Sequence, residues 1–247
     1  MYNNFASIYD KLQEVNYESF ISFYEEIFKT TDLKPKLVLD LACGTGNITI
    51  PMARLGYDMI GVDLSVEMLN IAREKANNDN LDILFLNQDM TDFELYGTVD
   101  AIVCALDGVN YISNISDIKQ MFMRVLNYLN PGGIMIFDIN SCYKLKEVLG
   151  NNTFVYDEED VYCVWNNFFD TENMVSCFDL NWFAKNEDNM YTRFDEYHEE
   201  YAYSIADLEE IIKDSGLVLE GVYDGLSFEE PKEKSERIFF VIQRPIS

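Results

Sequence analysis

Short apolar runs alternate with amphipathic stretches over the first 140 residues of the chain. A continuous apolar run predicts a buried strand, and apolar residues that recur every three or four positions predict a helix. On this basis we predict amphipathic helices within residues 5–28, strands at 37–41, 59–62, 83–86, 101–105 and 134–138, and helices at 48–54, 66–76 and 118–129. Strands that alternate with helices in this way predict a doubly wound α/β fold with a parallel sheet.

The pattern changes between residues 153 and 203, where apolar and polar residues alternate. The runs 161–165, 175–183 and 191–203 have the period of two that is typical of half-buried strands. A helix at 205–214 and strands at 217–223 and 237–243 follow. We therefore predict an α/β domain formed by residues 1–152 and 204–247, with an antiparallel β lid inserted at 153–203.

The composition indicates which kinds of partner and which kinds of site this protein is expected to lack. The chain carries 18 Lys and Arg against 44 Asp and Glu, a formal net charge of −26. Such a surface repels phosphate-rich partners, so a nucleic-acid partner is not expected. The five cysteines are widely spaced and form no CxxC pair, so neither a disulfide framework nor a metal site is predicted. Neither a signal segment nor a spanning apolar stretch is evident, which predicts a cytoplasmic protein without a membrane partner.

The most informative segment is the turn after the first predicted strand, residues 38–47 (VLDLACGTGN). Glycines at a strand-to-helix turn let a ligand approach the backbone, although glycine is also the usual residue of an empty tight turn. Asp63 ends the next predicted strand about 20 residues later, where a carboxylate can accept both hydroxyls of a ribose. Together the two features predict a nucleoside-containing ligand.

A dinucleotide such as NAD would bind to the same part of the fold, so it must be distinguished from other nucleoside-containing ligands. The dinucleotide fingerprint needs a third glycine where this chain has Thr49. Asp40, directly before the turn, would repel a pyrophosphate and would suit the ammonium group of an amino-acid moiety. This favours S-adenosylmethionine over NAD and makes an NAD-dependent oxidoreductase the weaker alternative.

Residues 40–107 resemble the class I, Rossmann-like S-adenosylmethionine-dependent methyltransferases. The first motif of that family is D/E-x-G-x-G-x-G, and this chain departs from it at Ala42. The resemblance implies a seven-stranded, mostly parallel sheet and S-adenosyl-L-methionine as cofactor. Residues 2–10 resemble the F-A-x-x-Y-D segment of small-molecule methyltransferases, whose tyrosine lies against the cofactor. The implied cofactor-binding residues are Tyr9, Asp40, Ala42, Gly44, Gly46, Asp63, Leu64, Met68, Asp89, Met90, Ala105 and Asp107.

The resemblance also implies individual roles within this set. Gly44 and Gly46 would line the methionine portion, Asp63 would bind ribose, and Asp89 would bind the adenine amino group. Met68 would pack on the adenine, although an ordinary core methionine is an equally good interpretation.

The candidates for acceptor chemistry lie in two places. Asn110 and Tyr111 follow the fourth predicted strand with Asp107, at the edge where ligands of such sheets bind, but loop residues of this kind often only satisfy backbone groups. Residues 194–201 (FDEYHEEY) resemble the F-x-E-x-H stretch of glycine-type and sugar-amine N-methyltransferases. His198, the only histidine, is a candidate general base, with Tyr9 and Tyr111 as alternatives. Alternatively, Glu196 holds His198 in place and so orders the lid.

These observations predict methyl transfer to a small-molecule nucleophile, with nitrogen favoured over oxygen. The chain has no N-P-P-Y-like tetrad and no Pro-Cys nucleophile, two features of enzymes that methylate nucleic-acid bases. The alternatives are an adenosylmethionine-binding module that is non-catalytic or depends on a partner, and a tRNA or protein methyltransferase.

Overall fold

The computed structural model describes residues 15–31, 33–186 and 188–246. The first half contains α1 (Tyr17–Thr30), β1 (Leu37–Leu41), α2 (Thr49–Arg54), β2 (Asp58–Asp63), α3 (Val66–Asn78), β3 (Leu84–Asn87), β4 (Val99–Cys104), α4 (Ile115–Tyr128) and β5 (Leu129–Asn140). The second half contains β6 (Thr153–Glu158), β7 (Val161–Asp170), β8 (Val175–Lys185), β9 (Tyr191–Tyr201), α5 (Ile205–Asp214), β10 (Val218–Asp224) and β11 (Arg237–Gln243).

The main sheet has seven strands in the order β10-β11-β5-β4-β1-β2-β3. β11 runs antiparallel to its neighbours β5 and β10, and the other neighbouring pairs are parallel. The prediction of a doubly wound, mostly parallel sheet is therefore confirmed.

Helices cover both faces of this sheet because neighbouring strand residues point in opposite directions. In β11, Phe240 packs in a core with residues of α4 and α5, whereas Phe239 packs in a second core with residues of α1 and α2. A third cluster joins α3 to Phe85 of β3. The alternation leaves the strands buried on both sides, as expected for parallel strands between helices.

The strand order reverses at β1, which pairs with β2 on one side and with β4 on the other. In sheets of this kind, ligands bind in the crevice beyond the carboxyl ends of the strands at such a reversal. The turn at residues 42–47 leaves β1 at this edge, and the loop at 105–108 leaves β4 beside it.

Strands β6 to β9 form a separate antiparallel sheet in sequential order. The predicted period-two pattern is confirmed for β7, β8 and β9, and β6 adds an edge strand that the pattern did not single out. One face of this sheet, called here the inner face, carries Tyr156, Trp165, Phe178, Leu180, Trp182, Glu196, His198 and Glu200.

Two short helices were not predicted. A 3-10 helix spans Gly108–Tyr111, and a π-helix spans Lys144–Leu149. Both are too short for an apolar period to show in the sequence. The predicted helical residues 5–14 lie outside the described residues, and α1 confirms the later part of that prediction. Within the described part of the chain, no helix combines the length and apolar character needed to cross a bilayer.

Candidate active site

The turn after β1 places three residues in the left-handed backbone region, with φ of 61° at Ala42, 55° at Gly44 and 81° at Gly46. A Cβ on Gly44 would meet no atom within 4 Å, whereas a Cβ on Gly46 would lie 3.1 Å from Ile50 Cδ1 and 3.3 Å from Ala72 Cβ. Gly44 therefore leaves its backbone open to a ligand, while Gly46 lets the turn pack closely on α2 and α3.

The carboxylate of Asp63, at the end of β2, holds this turn in place. It accepts hydrogen bonds from the N–H groups of Gly44 (2.7 Å) and Ser65 (2.8 Å). Because a carboxylate offers about four lone pairs, these bonds leave it accepting capacity for a ligand. Burial raises the pKa of Asp63, and the bonds from backbone N–H groups oppose this effect. The geometry suits the two hydroxyls of a ribose.

Asp40 is buried beneath the same turn, with 1% of its surface exposed. Its Oδ2 accepts a hydrogen bond from Thr49 Oγ1 at 2.5 Å. Burial raises the pKa of Asp40 to about 7, the bond from Thr49 lowers it, and the nearby charge of Asp63 raises it. A cationic group in front of Asp40 would stabilise its charged form. Thr49 stands where the dinucleotide fingerprint has its third glycine, and here its hydroxyl donates a hydrogen bond to Asp40.

A cavity of about 700 Å³, called here the first cavity, opens in front of the turn. The predicted cofactor-binding residues that line it are Asp40, Ala42, Gly44, Asp63, Leu64, Met68, Asp89, Met90 and Ala105, and Tyr111 lines it as well. Gly46 does not line this cavity and instead lies on the side of the turn that packs against α2 and α3. Tyr9 lies outside the described residues. The structure therefore brings together most of the predicted set.

Polar contacts that were not predicted brace the first cavity. Asn47 Nδ2 donates to the hydroxyl of Tyr17 at 2.9 Å. Lys75 Nζ donates to Asn47 Oδ1 at 2.8 Å and to Thr45 Oγ1 at 3.1 Å. These bonds tie α1, the turn and α3 together. Asn47 belongs to the turn identified from the sequence, but nothing distinguished Tyr17 from the other aromatic residues of α1.

The loop after β4 contains two left-handed residues, Leu106 and Asp107, with φ of 58° and 57°. Their N–H groups donate to the two carboxylate oxygens of Asp138 at 2.8 and 3.0 Å. Arg237 forms ion pairs with Asp138 and, at 2.7 Å, with Asp107. The side chain of Asp107 consequently faces away from the first cavity, so the structure does not bring this predicted residue to the others.

A second cavity of about 300 Å³ lies between this loop and the inner face of the lid sheet. It shares Leu106 and Tyr111 with the first cavity. Its remaining lining includes the inner-face residues together with Val15, Asp107, Asn140, Lys144, Leu149 and Arg237. Ligands in the two cavities would meet at Leu106 and Tyr111.

His198 lies at this boundary. Its Nε2 is 3.0 Å from Glu196 Oε2, and its ring meets the Tyr111 ring edge-on at a centroid distance of 6.1 Å. As the period-two pattern of this strand predicts, Phe194, Glu196 and His198 share the inner face of the lid sheet, and Glu200 lies on the same face. The contact with Glu196 agrees with the second interpretation of His198, in which Glu196 holds the histidine in place.

Three further polar residues of the second cavity were not predicted. Asn140 Nδ2 donates to Glu200 Oε2 at 2.7 Å, and Lys144 Nζ donates to Asn140 Oδ1 at 2.8 Å. Burial raises the pKa of Glu200 to about 8, with a smaller effect in the same direction from Asp107. These residues come from β5, the π-helix and β9, and no motif joins them in the sequence.

Asn110 is fully buried and lines neither cavity. Its Nδ2 donates to the carbonyl oxygens of Asn140 (3.2 Å) and Tyr201 (2.9 Å), and its Oδ1 accepts from the N–H of Asn140 (2.9 Å). Asn110 therefore joins the ends of β5 and β9, which is the structural alternative considered for it.

Comparisons with known proteins agree with this site. A family model described as a methyltransferase domain matches residues 38–133. The putative methyltransferase YqeM of Bacillus subtilis (strain 168) is 36% identical over 99% of this chain and 97% of its own length. A crystal structure of an S-adenosylmethionine-dependent methyltransferase from Clostridium acetobutylicum ATCC 824 superposes with a TM-score of 0.91 and 38% identity, covering 99% of both chains. The chain belongs to the S-adenosylmethionine-dependent methyltransferases.

The methyltransferase therefore uses S-adenosylmethionine, and the dinucleotide alternative is set aside. Its fold extends to more distant enzymes. The sugar N-methyltransferase KedS8 from Streptoalloteichus sp ATCC 53650 superposes with a TM-score of 0.78 at 18% identity, covering 97% of this chain and 92% of that one. At that identity, the likeness concerns the fold alone.

Proposed function

We propose that the methyltransferase transfers a methyl group to the nitrogen of a small-molecule amine, with the cofactor in the first cavity and the amine in the second. The observation that carries the proposal is a pair of neighbouring cavities that, among the described residues, share Leu106 and Tyr111 in their linings. Bound S-adenosylmethionine supplies a methyl group that is already activated by its sulfonium. The protein then has to align donor and acceptor, and alignment alone can contribute several kcal/mol, about 7 or more in favourable cases.

Residues of the first cavity each have a role in this proposal. Asp63 accepts the ribose hydroxyls, and the buried carboxylate of Asp40 faces the ammonium group of the methionine portion. Asp89, which accepts bonds from the N–H and hydroxyl of Thr91, binds the adenine amino group. Gly44 permits the close approach of the methionine portion. The remaining contacts come from Ala42, Leu64, Met68, Met90 and Ala105, and Tyr9 completes the site as the resemblance implies.

Charge supports an amine as the acceptor. The second cavity is lined by the carboxyl groups of Asp107, Glu196 and Glu200, and Asp138 lies behind Arg237. The two basic residues of the lining, Lys144 and Arg237, do not outnumber them. A site with surplus carboxylates favours a cationic amine.

A small molecule suits the second cavity better than RNA or protein. Its volume of about 300 Å³ is at the lower end of the range for small-ligand pockets. The net charge of −26 also opposes a long phosphate backbone. We infer that residues 153–203 act as a lid and acceptor-binding unit on the domain formed by 1–152 and 204–247, in a cytoplasmic protein. In this arrangement Glu196 holds His198, and His198 and Tyr111 align the acceptor.

The test is methyl transfer from radiolabelled S-adenosylmethionine to four panels: small amines, small alcohols and phenols, bulk tRNA, and bulk protein. We expect label in the amines alone. Label confined to the alcohols and phenols would overturn nitrogen as the acceptor atom, and label in tRNA or protein would overturn the small-molecule class. Tight cofactor binding without transfer to any panel would indicate dependence on a partner.

A further inference from the structure

Glu200 is the most deeply buried carboxyl group that lines the second cavity. It is 4% exposed and lies on β9 two positions after His198, which contacts Tyr111 at the boundary with the first cavity. One of its oxygens accepts from Asn140 Nδ2 at 2.7 Å, and Asn140 is itself fixed by Asn110 and Lys144. Glu200 is thus held in one orientation, with accepting capacity left for a ligand.

The cations around this cavity already have partners. Arg237 is paired with Asp107 and Asp138. Lys144 donates to Asn140. An acceptor that carried a phosphate or carboxylate would meet an arginine already neutralised by two carboxylates, and it would face the carboxyl groups of Asp107, Glu196 and Glu200 in the same lining. The cavity therefore disfavours anionic acceptors.

The inner face of the lid sheet, which carries Glu200, is also rich in aromatic side chains. Trp165 stacks on Tyr156 with ring centroids 6.4 Å apart and an interplanar angle of 22°, and it meets Phe178 edge-on at 5.5 Å. Trp182 and Leu180 lie on the same face and also line the second cavity. A wall of flat apolar rings favours a ligand that is itself flat and apolar on one side.

We propose that the acceptor is an amine carried on an aromatic or similarly flat apolar ring, and that the Glu200 carboxylate takes the proton that the amine must lose. This inference rests on the proposed function, because it names the acceptor class of the same site. Glu200 would touch the substrate and would be a catalytic residue that the sequence motifs did not indicate.

The proton transfer balances. The amine enters as an ammonium ion and passes one N–H proton to an oxygen of Glu200. Its freed lone pair then forms the N–C bond, while the C–S bond breaks and its electron pair stays on sulfur. The product leaves as an N-methylammonium ion, and protonated Glu200 loses its proton to water before the next turnover.

The groups that face Glu200 set the pH at which it can act. They are Asn140 on β5, Lys144 on the π-helix, Asp107 after β4, Arg237 on β11 and His198 on β9. Burial and Asp107 raise the pKa of Glu200 to about 8, while Asn140, Lys144 and Arg237 act in the opposite direction. The reactive carboxylate form therefore accumulates as the pH rises through about 8.

The experiment uses phenethylamine, whose ammonium group resembles that of lysine and has a pKa of about 10. We expect kcat/KM to rise with pH and to level off above about 8. In Glu200→Gln, which can still accept the bond from Asn140, we expect kcat/KM at pH 8 to fall about 100-fold and the rise near pH 8 to disappear. Glu199→Gln, on the other face of β9, is the matched control and should behave as wild type.

Two further probes test the ring and the charge. Propylamine keeps the amine and lacks the ring, so its kcat/KM should be about 10- to 100-fold lower. Phenylalanine adds a carboxylate to the same ring and amine, and it should be at least about tenfold poorer than phenethylamine. Equal rates for the three probes would overturn the assigned acceptor class.

Each failure has its own signature. A rise in kcat/KM that follows the amine's own pKa near 10, unchanged in Glu200→Gln, would overturn the role of Glu200. Transfer to aliphatic amines but not to phenethylamine would overturn the ring-bearing acceptor and leave the proposed function standing. No transfer to any amine, with intact cofactor binding by calorimetry, would overturn the proposed function itself.

Discussion

Replacement of Asp63 tests the cofactor site most directly. Its carboxylate accepts one hydrogen bond from the glycine turn, from Gly44 at 2.7 Å, and one from Ser65 before α3 at 2.8 Å, and it keeps accepting capacity for a ligand. Asp63→Ala removes all of these interactions. Hydrogen bonds to a charged group contribute about 1.5–3 kcal/mol each, so a loss of about 1–3 kcal/mol in cofactor binding is a conservative expectation. This corresponds to a Kd about 5- to 150-fold higher.

The assay is calorimetric titration with S-adenosylmethionine and S-adenosylhomocysteine. Asp63→Asn should lie between wild type and Asp63→Ala, because one side-chain oxygen still accepts. The control is Asp58→Asn, at the exposed start of the same strand, which should bind as wild type. Thermal unfolding followed by circular dichroism establishes that each variant is folded. A folded Asp63→Ala variant with unchanged affinity would refute the ribose assignment.

Three other changes probe the same structure. Because burial raises the pKa of Asp40 to about 7 and a ligand ammonium favours its charged form, affinity for S-adenosylhomocysteine should rise about tenfold from pH 6 to pH 8. Asp40→Asn should flatten this profile, and a wild-type profile that is already flat would contradict the role. Gly44→Ala should fold at a cost of about 1–2 kcal/mol for its left-handed backbone but lose cofactor binding, since its Cβ would project into the open space of the first cavity. Wild-type affinity in this variant would show that the cofactor does not approach Gly44. Asn110→Ala should lose about 2–4 kcal/mol of stability in urea unfolding through its three buried hydrogen bonds, with cofactor binding retained. A change in binding without a change in stability would place Asn110 in the site after all.

The lining of the first cavity could largely be predicted because its signals are local in sequence. The glycine turn and Asp63 each end a strand, and parallel strands bring their carboxyl ends to one edge of the sheet. A family motif could therefore be extended to neighbouring positions such as Leu64 and Met90. Met68 lines the first cavity, but its packing on the adenine stays a prediction.

The position of Asp107 shows where this reasoning ends. Its place after β4 predicts a cofactor contact, but its backbone is left-handed and its side chain pairs with Arg237. That pairing depends on β11, which follows about 130 residues later and lies beside β5 in the sheet. No local pattern in the sequence contains this contact.

The second cavity could not be predicted either, because its contacts also join residues that are far apart in the sequence. Glu200 was part of the quoted stretch around His198, but its importance comes from Asn140 and Lys144, which belong to β5 and to a π-helix too short to leave a period. An acidic residue in a strongly acidic chain is by default a solvated surface group. Only burial against partners from distant segments distinguishes Glu200 from the exposed carboxylates around it.

The buried ion pair of Asp138 with Arg237 links the two cavities. Asp138 holds the N–H groups of Leu106 and Asp107, and Leu106 lines both cavities. Non-glycine residues in the left-handed region cost energy, so the surrounding contacts must hold them there. Strand β11 thus fixes the loop that lies between the two cavities. A change at Arg237 should therefore impair methyl transfer more than it impairs cofactor binding, because the contacts of Asp63 and Asp40 do not depend on it.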